Sequence, residues 1–531
     1  MKQKLLGIVL IIYLLQCFTA IAAYSPKIDG KAYNVKDYGA TGDGKTLDTE
    51  AINKAIAAAV AAGGGTVYFP AGTYASHSIH LKSHVSLFID QGAIILAAET
   101  DEGGKGYDDP EPNEWGDKKY QDFGHSHFHD SLIWGENLED ISILGTGTIN
   151  GKGLTRGASK RLGIGNKAIA LKFCRNVILK DFTIVYGGHM GILACGLDNL
   201  TIDNLKIDTN RDGIDVDCCR NVHISNCSIN SPWDDAICLK STYALGFLRA
   251  TENVTITNCQ VSGFDRGTFI NGTYLRNEYK MVPDRQGPTG RIKLGTESNG
   301  GFKNIAISNC VFQNCRGLAL ETVDGGSLED ITISNITMRD VINSPLFLRL
   351  GARLRGPANI PIGSLKRVNI SNINVYNADS HFASMIVGIP GHDVEDVKLS
   401  NIRIYYRPID SSVVKIQKAL PELIHDYPEP QRFGVGPAYG FFIRHARNIE
   451  LTNVEVSYLG NETRPAVVLE DVKQISFNNF KAQAVPNVPL IIRRGVTGLN
   501  VQPLTSIAIA KIKTEPIPAT VPDPPVNKFQ E

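Results

Sequence analysis

One phrase recurs through the middle and end of this 531-residue chain. It reads NLTIDNLKI from Asn199, NVHISNCSI from Asn221, NVTITNCQV from Asn253, NIAISNCVF from Asn304, DITISNITM from Asp330, RVNISNINV from Arg367, DVKLSNIRI from Asp396 and NIELTNVEV from Asn448. Apolar residues alternate with polar ones on both sides of a polar corner, which is the pattern of a half-buried strand, a turn and a second short strand. The closest copies lie roughly 22 to 32 residues apart, the length of one solenoid coil. A unit this small cannot bury its own apolar face, so copies must stack. The predicted fold is therefore all-β, a parallel β-helix, right-handed by the general preference of parallel crossovers. The Asn corners suit positions where an amide bonds the backbone of the neighbouring coil.

Open solenoid ends need covers. At the start, Asp48 or Thr49 caps a predicted helix over Ala51 to Ala62, with Ile52, Ile56 and Val60 on its buried face and Gly63 to Gly65 as the stop. Two loops interrupt the ladder, one over about 101–129 and one over about 263–289, and on solenoids such insertions carry function. Residues 514–531 hold five prolines and read as an extended or disordered tail. The expected division is a signal peptide over 1–22, one β-helix domain over 23–513, and the tail.

Lys2 and Lys4, the apolar run from Leu5 to Leu15, and Ala20, Ala22 and Ala23 make a cleavable secretory signal, so a secreted or periplasmic location is expected. Lipidation at Cys17 is the weaker alternative, because Gln16 before it is large. No later stretch is apolar enough to span a bilayer. Lys plus Arg equals Asp plus Glu at 54 each, so no global charge draws nucleic acid or an anionic membrane, and the protein is expected to be a monomer. Of ten cysteines, Cys227, Cys259 and Cys310 close the same phrase in three repeats, which suits stacked buried thiols better than bridges. Cys310 with Cys315, or Cys218 with Cys219, remain open as local pairs. No CxxC-type spacing suggests a metal.

The stretch Asn210 to Ser241 carries the chemistry. Asp212 is followed 22 residues later by Asp234 and Asp235, about one coil on, which stacks three carboxylates in one place. Carboxylates so close divide their protons unequally, as glycoside hydrolysis needs.

On these residues the chain resembles glycoside hydrolase family 28, the polygalacturonase group. The likeness runs from YNVKDYGATGDGKTLDTEAI at Tyr33, through SLIWGENLEDISILGTGTINGKG at Ser131, to at least Arg339. The family's NTD motif is matched by Asn210, Arg211 and Asp212, and its GDD motif by Trp233, Asp234 and Asp235. The resemblance implies an inverting hydrolase of pectin-type polysaccharide without a cofactor, with Asp234 as general acid and Asp212 and Asp235 activating water. It supports the right-handed coil. Long insertions blocking one end of a groove would make the action exo.

The chain departs from the family in the following coils. No histidine occupies the GHG position, where Gly290 or, in another alignment, Arg266 falls. RIK occurs at Arg291 to Lys293, but the coil where the family carries it reads Ala319, Leu320, Glu321. Glu297 and Glu321 then suit the hydroxyls of a neutral sugar, whereas Lys240, Arg291 and Lys293 would clamp a uronate if the insertion folds back. His189, in GGHM, is a candidate substrate contact. Trp233 is a candidate for stacking on a sugar face or drying the neighbouring acid, with Tyr243, Tyr274 and Tyr279 as rim candidates. The run His125, His127, His129 would share a face in a strand, and reads as a polar rim loop.

Two rivals keep the same scaffold. In a calcium-dependent lyase the aspartates hold the ion and Arg291 removes a proton. In a non-catalytic carbohydrate-binding solenoid, nothing turns over.

Overall fold

The computed structural model describes residues 32–100, 106–155, 163–277, 287–503 and 511–525; the expected signal peptide lies outside them. The described residues form a right-handed parallel β-helix of 36 strands, whose ladders between strands are all parallel. The repeat's period-2 alternation sets what each coil buries. Ile133, Ile169, Ile192, Ile214, Ile237 and Ile292 stand in register, fully buried inside the coil. Each contributes roughly 1.5–3 kcal/mol of burial.

The next residue in each strand points outward, and this second column decides where a ligand could sit. It runs Trp134, Ala170, Leu193, then Asp215, Cys238, Lys293, then Ala319, Phe347, Met385, Phe442, Val468 and Ile492. Between Trp134 and Ile492, charge appears in this column only at Asp215 and Lys293. On one side of that stretch, Phe128 of the first insertion packs onto Ala170, Leu193 and Cys195. On the other, Leu420, Leu423, Phe433 and Ala438 cover Ala319, Phe347, Met385 and Phe442.

Those four belong to a third insertion, 407–440, which the sequence reading did not single out. The interval between Asp396 and Asn448, 52 residues, marks it. The segment read as an extended or disordered tail begins at a strand. Thr514 ends a strand, Ile512–Thr514, that pairs with Ile491–Arg494. Residues 515–525 have no regular structure but are docked: Asp523 accepts from the Leu423 N–H at 2.8 Å, and Arg432 donates to the Pro525 carbonyl at 2.9 Å.

The starting helix is Thr49–Ala61, and it packs on the first strands. Its buried face is Ala51, Ile52, Ala55, Ile56 and Ala59, while Val60 is exposed. At 3.6 residues per turn, a row spaced by four drifts off the buried stripe by its third member. Asp48 is the N-cap by position, yet its carboxylate turns back to the Thr41 and Gly42 N–H groups at 2.7 and 3.1 Å.

The corner asparagines inside the phrase bond side chains and not the backbone, Asn226 donating to Asp203 at 2.7 Å, Asn258 to Asn226 at 3.3 Å and Asn335 to Asn309 at 3.0 Å, and the residues that open the phrase make a second ladder. Asn199 donates to Asn176, Asn221 to Asn199, Asn253 to Asn221 and Asn304 to Asn253, at 2.7–3.2 Å. Asn199, Asn221, Asn253 and Asn304 all have φ between 55 and 60°, the left-handed region that Asn tolerates better than most residues. All nine described cysteines are free and buried, as the repeat suggested.

Candidate active site

Asp212 opens the strand Asp212–Asp217, and Asp234 and Asp235 lead into Ile237–Ser241, its neighbour one coil on. Glycine is required beside them. A Cβ on Gly213 would stand 2.5 Å from the Ala236 carbonyl oxygen, and one on Gly290 2.2 Å from that of Ser262. The coils therefore approach closely enough to bring one oxygen from each of Asp212, Asp234 and Asp235 within 4.8 Å of the others. The Asp235 N–H donates to Oδ1 of both Asp212 (3.2 Å) and Asp234 (3.1 Å).

The three carboxylates have different surroundings. Burial, with the charges of Asp215 and Asp234, pushes the Asp212 carboxyl well above the usual range despite Lys240 at 4.0 Å. Asp234 Oδ2 accepts from Arg211 Nε and Nη2 at 3.1 and 2.9 Å. Asp235 accepts from Arg291 Nε at 2.9 Å and has Lys293 Nζ at 3.6 Å. Burial thus favours the neutral form of Asp212, while Asp234 and Asp235 are each hydrogen-bonded to an arginine.

Behind Arg211, Nη1 lies 2.7 Å from His189 Nδ1, and His189 Nε2 lies 2.8 Å from Asp122 of the first insertion. Burial opposes charge on Asp122, but His189 and Arg211 hold it well below the usual carboxylate range. His189 is 2% exposed. Its ring is engaged by Arg211 and Asp122 in this structure, so the expected substrate contact is here a partner of Arg211.

Three other expected contacts, Arg291, Lys293 and Glu321, are engaged by buried protein groups. Arg291 and Lys293 lie in the coil directly after the aspartate pair, where the Gly290 N–H donates to the Asp234 carbonyl at 2.8 Å. This is the coil in which the family's histidine was sought, and Arg291 follows Gly290 there. Both cations are 2% exposed and engaged: Arg291 with Glu429 at 2.6 Å, Lys293 with Glu321 at 3.3 Å and the Tyr427 hydroxyl at 3.2 Å. They form no open uronate clamp in this structure, because the two buried cations are engaged by Asp235 and Glu429, with Glu321 beside Lys293. Glu321 is fully buried and accepts from Thr296 at 3.0 Å, so it meets no sugar hydroxyl; burial raises its carboxyl to about 7. Burial would also raise Glu429, yet Arg291 and Arg316 hold it at about 2.

Lys240 and Glu297 sit nearer the opening, 3.8 Å apart. Lys240 also faces Asp215 at 3.5 Å, and Glu297 faces Arg353 and Arg355 at 3.8 and 3.6 Å. The Trp233 ring is 9% exposed, with the Arg266 guanidinium 3.8 Å over it, so one face is covered and it forms a wall. Tyr243 packs edge-on against Trp115 at 5.1 Å, Tyr274 is half-exposed at the rim, and Tyr279 lies outside the described residues. The histidine run is not a strand and not a rim. His125 ends a short helical turn, fully buried, with Nδ1 3.1 Å from Asp217, while His127 and His129 turn to Glu111 and Glu136.

Sequence reading missed Arg211, Asp215, His125, Asp122, Arg353, Arg355, Tyr427 and Glu429 as parts of this site. Arg211 and Asp215 stood inside the quoted motif. Asp122, His125, Tyr427 and Glu429 come from insertions, and Arg353 and Arg355 from the connection between the strands Leu346–Leu350 and Ser364–Ala378; nothing local in the sequence shows where such segments land.

Comparison with known proteins adds a family context. Residues 32–128 match the rhamnogalacturonase A/epimerase, pectate lyase-like profile, and residues 116–270 that of glycosyl hydrolases family 28. A probable polygalacturonase of Vitis vinifera is 28% identical over 331 residues, 57% of this chain and 60% of its own. This chain thus spans less than two thirds of that relative. An exopolygalacturonase of Platanus acerifolia is 26% identical over 407 residues, covering 71% of this chain and 91% of its own. The structure of a family 28 exopolygalacturonase of Yersinia enterocolitica superposes with a TM-score of 0.61 at 20% identity, covering 84% and 78% of the two chains. That likeness is one of fold.

Proposed function

Since the chain belongs to the polygalacturonase-like glycoside hydrolases of family 28, we propose that it hydrolyses glycosidic bonds of pectin-type saccharides with Asp212, Asp234 and Asp235. The observation that carries this is the carboxylate trio within 4.8 Å, drawn from two coils and held in three different charge settings. Asp234 delivers a proton to the leaving sugar oxygen, and Asp212 and Asp235 order and activate the water. Burial and the charges of Asp215 and Asp234 favour the protonated form of Asp212, and Arg211 pairs with Asp234. A substrate group that draws Arg211 away lets the proton pass to Asp234 and leaves Asp212 as the base. No cofactor enters these steps.

Two features of the reading are separable by experiment. Carboxyl separations of about 5–5.5 Å go with retention and about 6.5–9.5 Å with inversion. Oxygens within 4.8 Å stand nearer the first, so inversion rests on the family likeness, and NMR of the first-formed anomer decides it. A lyase would need Arg291 as base. Burial opposes its charge, but Glu429 and Asp235 hold the guanidinium protonated well above its usual range, which disfavours proton removal. Insensitivity to chelator and a saturated product are expected; an unsaturated, chelator-sensitive product would make it a lyase.

The test of the catalytic reading is the Asp234→Asn variant on oligogalacturonides and rhamnogalacturonan fragments. Turnover should fall by about 10²–10⁴-fold on sugar leaving groups and much less on a glycoside whose leaving group needs no proton. Full activity in the variant would remove Asp234 from the chemistry. Export completes the proposal, and the N-terminal residue of the protein recovered outside the cytoplasm checks it.

A further inference from the structure

The first insertion carries a short helical turn, Phe123–His125, with Asp122 as its N-cap. Three contacts fix this turn beside the coils of the aspartate trio. His125 is fully buried, with Nδ1 3.1 Å from Asp217, the last residue of the strand that Asp212 opens. Arg355 donates through Nε to the Lys119 carbonyl at 2.7 Å and through Nη2 to that of Gln121 at 2.6 Å, gripping the chain just before the turn. Gly124 lies directly on the His189 imidazole: a Cβ there would stand 2.5 Å from Cδ2 and 2.9 Å from Nε2.

Donors and acceptors then order the ring. Asp122 Oδ1 accepts from the Gly124 N–H at 2.7 Å and lies 2.8 Å from His189 Nε2. A carboxylate only accepts, so Nε2 carries the ring hydrogen. Arg211 Nη1 lies 2.7 Å from Nδ1 and 2.9 Å from Nε2, and a guanidinium only donates, so the nearer nitrogen, Nδ1, accepts from it. The guanidinium is thus held from behind while its Nε and Nη2 reach Asp234 Oδ2 at 3.1 and 2.9 Å. The other tautomer would turn an N–H toward Arg211 and spoil that aim.

We propose that this turn is a positioning element of the reaction: Asp122 and Gly124 fix the tautomer and plane of His189, and through it the arginine that governs when Asp234 gives up its proton. The role rests on the reading of Asp234 as the acid of a glycosidase. Asp234 faces Arg211, Asp212 and Asp215 from the preceding coil and Asp235 beside it, with Arg291 of the following coil on Asp235. Asp122 faces His189, Arg211 and His125. Loss of the Asp122 charge alone would make the Asp234 proton easier to lose, whereas loss of Arg211's aim makes it harder. The sign of the change therefore separates positioning from a field effect.

The experiment reads the kcat/KM–pH profile on an oligomer with a sugar leaving group. Asp122→Ala and Gly124→Ala should each move the alkaline limb upward by about one unit, the direction expected for Arg211→Gln. Asp122→Asn keeps the acceptor oxygen and should move it less. Adding Asp122→Ala to Arg211→Gln should move it no further. An unmoved or lowered limb in Asp122→Ala, or a fully additive shift in the double variant, would overturn the proposal. A check free of turnover uses NMR of protein with isotope-labelled histidine, the His189 signals being those lost in His189→Gln. They should show Nε2 protonated and Nδ1 bare in the wild type, and a mixture in Asp122→Ala. A wild-type ring protonated on Nδ1 would overturn the proposal as well. The ordered tautomer in a wild type that turns over no glycoside would uphold the hydrogen-bonded chain and sink the hydrolase.

Discussion

Arg211 stands where the family motif carries threonine, and its fork on Asp234 gives the acid an unusual partner. A cation this close favours the charged carboxylate, so removing it makes the proton harder to lose. The Arg211→Gln variant is expected to move the alkaline limb of the kcat/KM–pH profile upward by about one unit, with Arg211→Lys in between. An unmoved limb would separate Arg211 from the acid. Glu429 makes a second residue-scale case. Its folded pKa, about 2, lies below its ordinary 4.5, so its stabilisation is complete above pH 4.5 and lost as pH falls toward 2. Glu321 has the opposite sign: raised to about 7, it stays protonated in the folded state between pH 4.5 and 7 and costs stability as pH rises through that window. Glu429→Gln should destabilise by roughly 3 kcal/mol at neutral pH, because Arg291 loses a buried partner. The gap between variant and wild-type melting temperatures should close below pH 3.

At the scale of the element, the repeat unit combines an apolar alternation with a left-handed corner. Asn253 shows why the corner is Asn: φ is 57°, and its amide links Asn221 on one coil to Asn304 on the next. Alanine would lose both side-chain bonds and adopt a disfavoured backbone; glycine would lose the bonds only. Asn253→Ala should cost about 2 kcal/mol and Asn253→Gly about 1 kcal/mol, read as shifts in urea midpoint. Equal costs would mean that the ladder bonds, and not the φ angle, hold the corner.

For the whole molecule, the insertions and the C-terminal segment act together. Residues 515–525 hold Leu423 and Arg432, and Leu423 is among the residues that cover Phe347 and Met385. Truncation after Thr514 should loosen that cover, increase binding of a hydrophobic dye and raise KM for short oligomers while the coil's far-ultraviolet spectrum persists. An unchanged KM would show that the third insertion holds its place without the segment.

The sequence by itself determined the coil. Period-2 alternation with polar corners at a fixed interval leaves stacking as the way to bury the apolar faces, and it sets Asp212 one coil from Asp234 and Asp235. Local pattern also found the starting helix, though not that Val60 faces water. Only the tertiary structure decided what surrounds the trio. Charge alone cannot show whether Arg291, Lys293 and Glu321 meet a ligand or each other, because that depends on which groups share their burial. Glu429 reaches Arg291 across 138 residues, and Arg355 reaches Lys119 across 236. Contacts at that separation follow from where insertions fold over a rigid solenoid, and the repeat that specifies the solenoid carries no information about them.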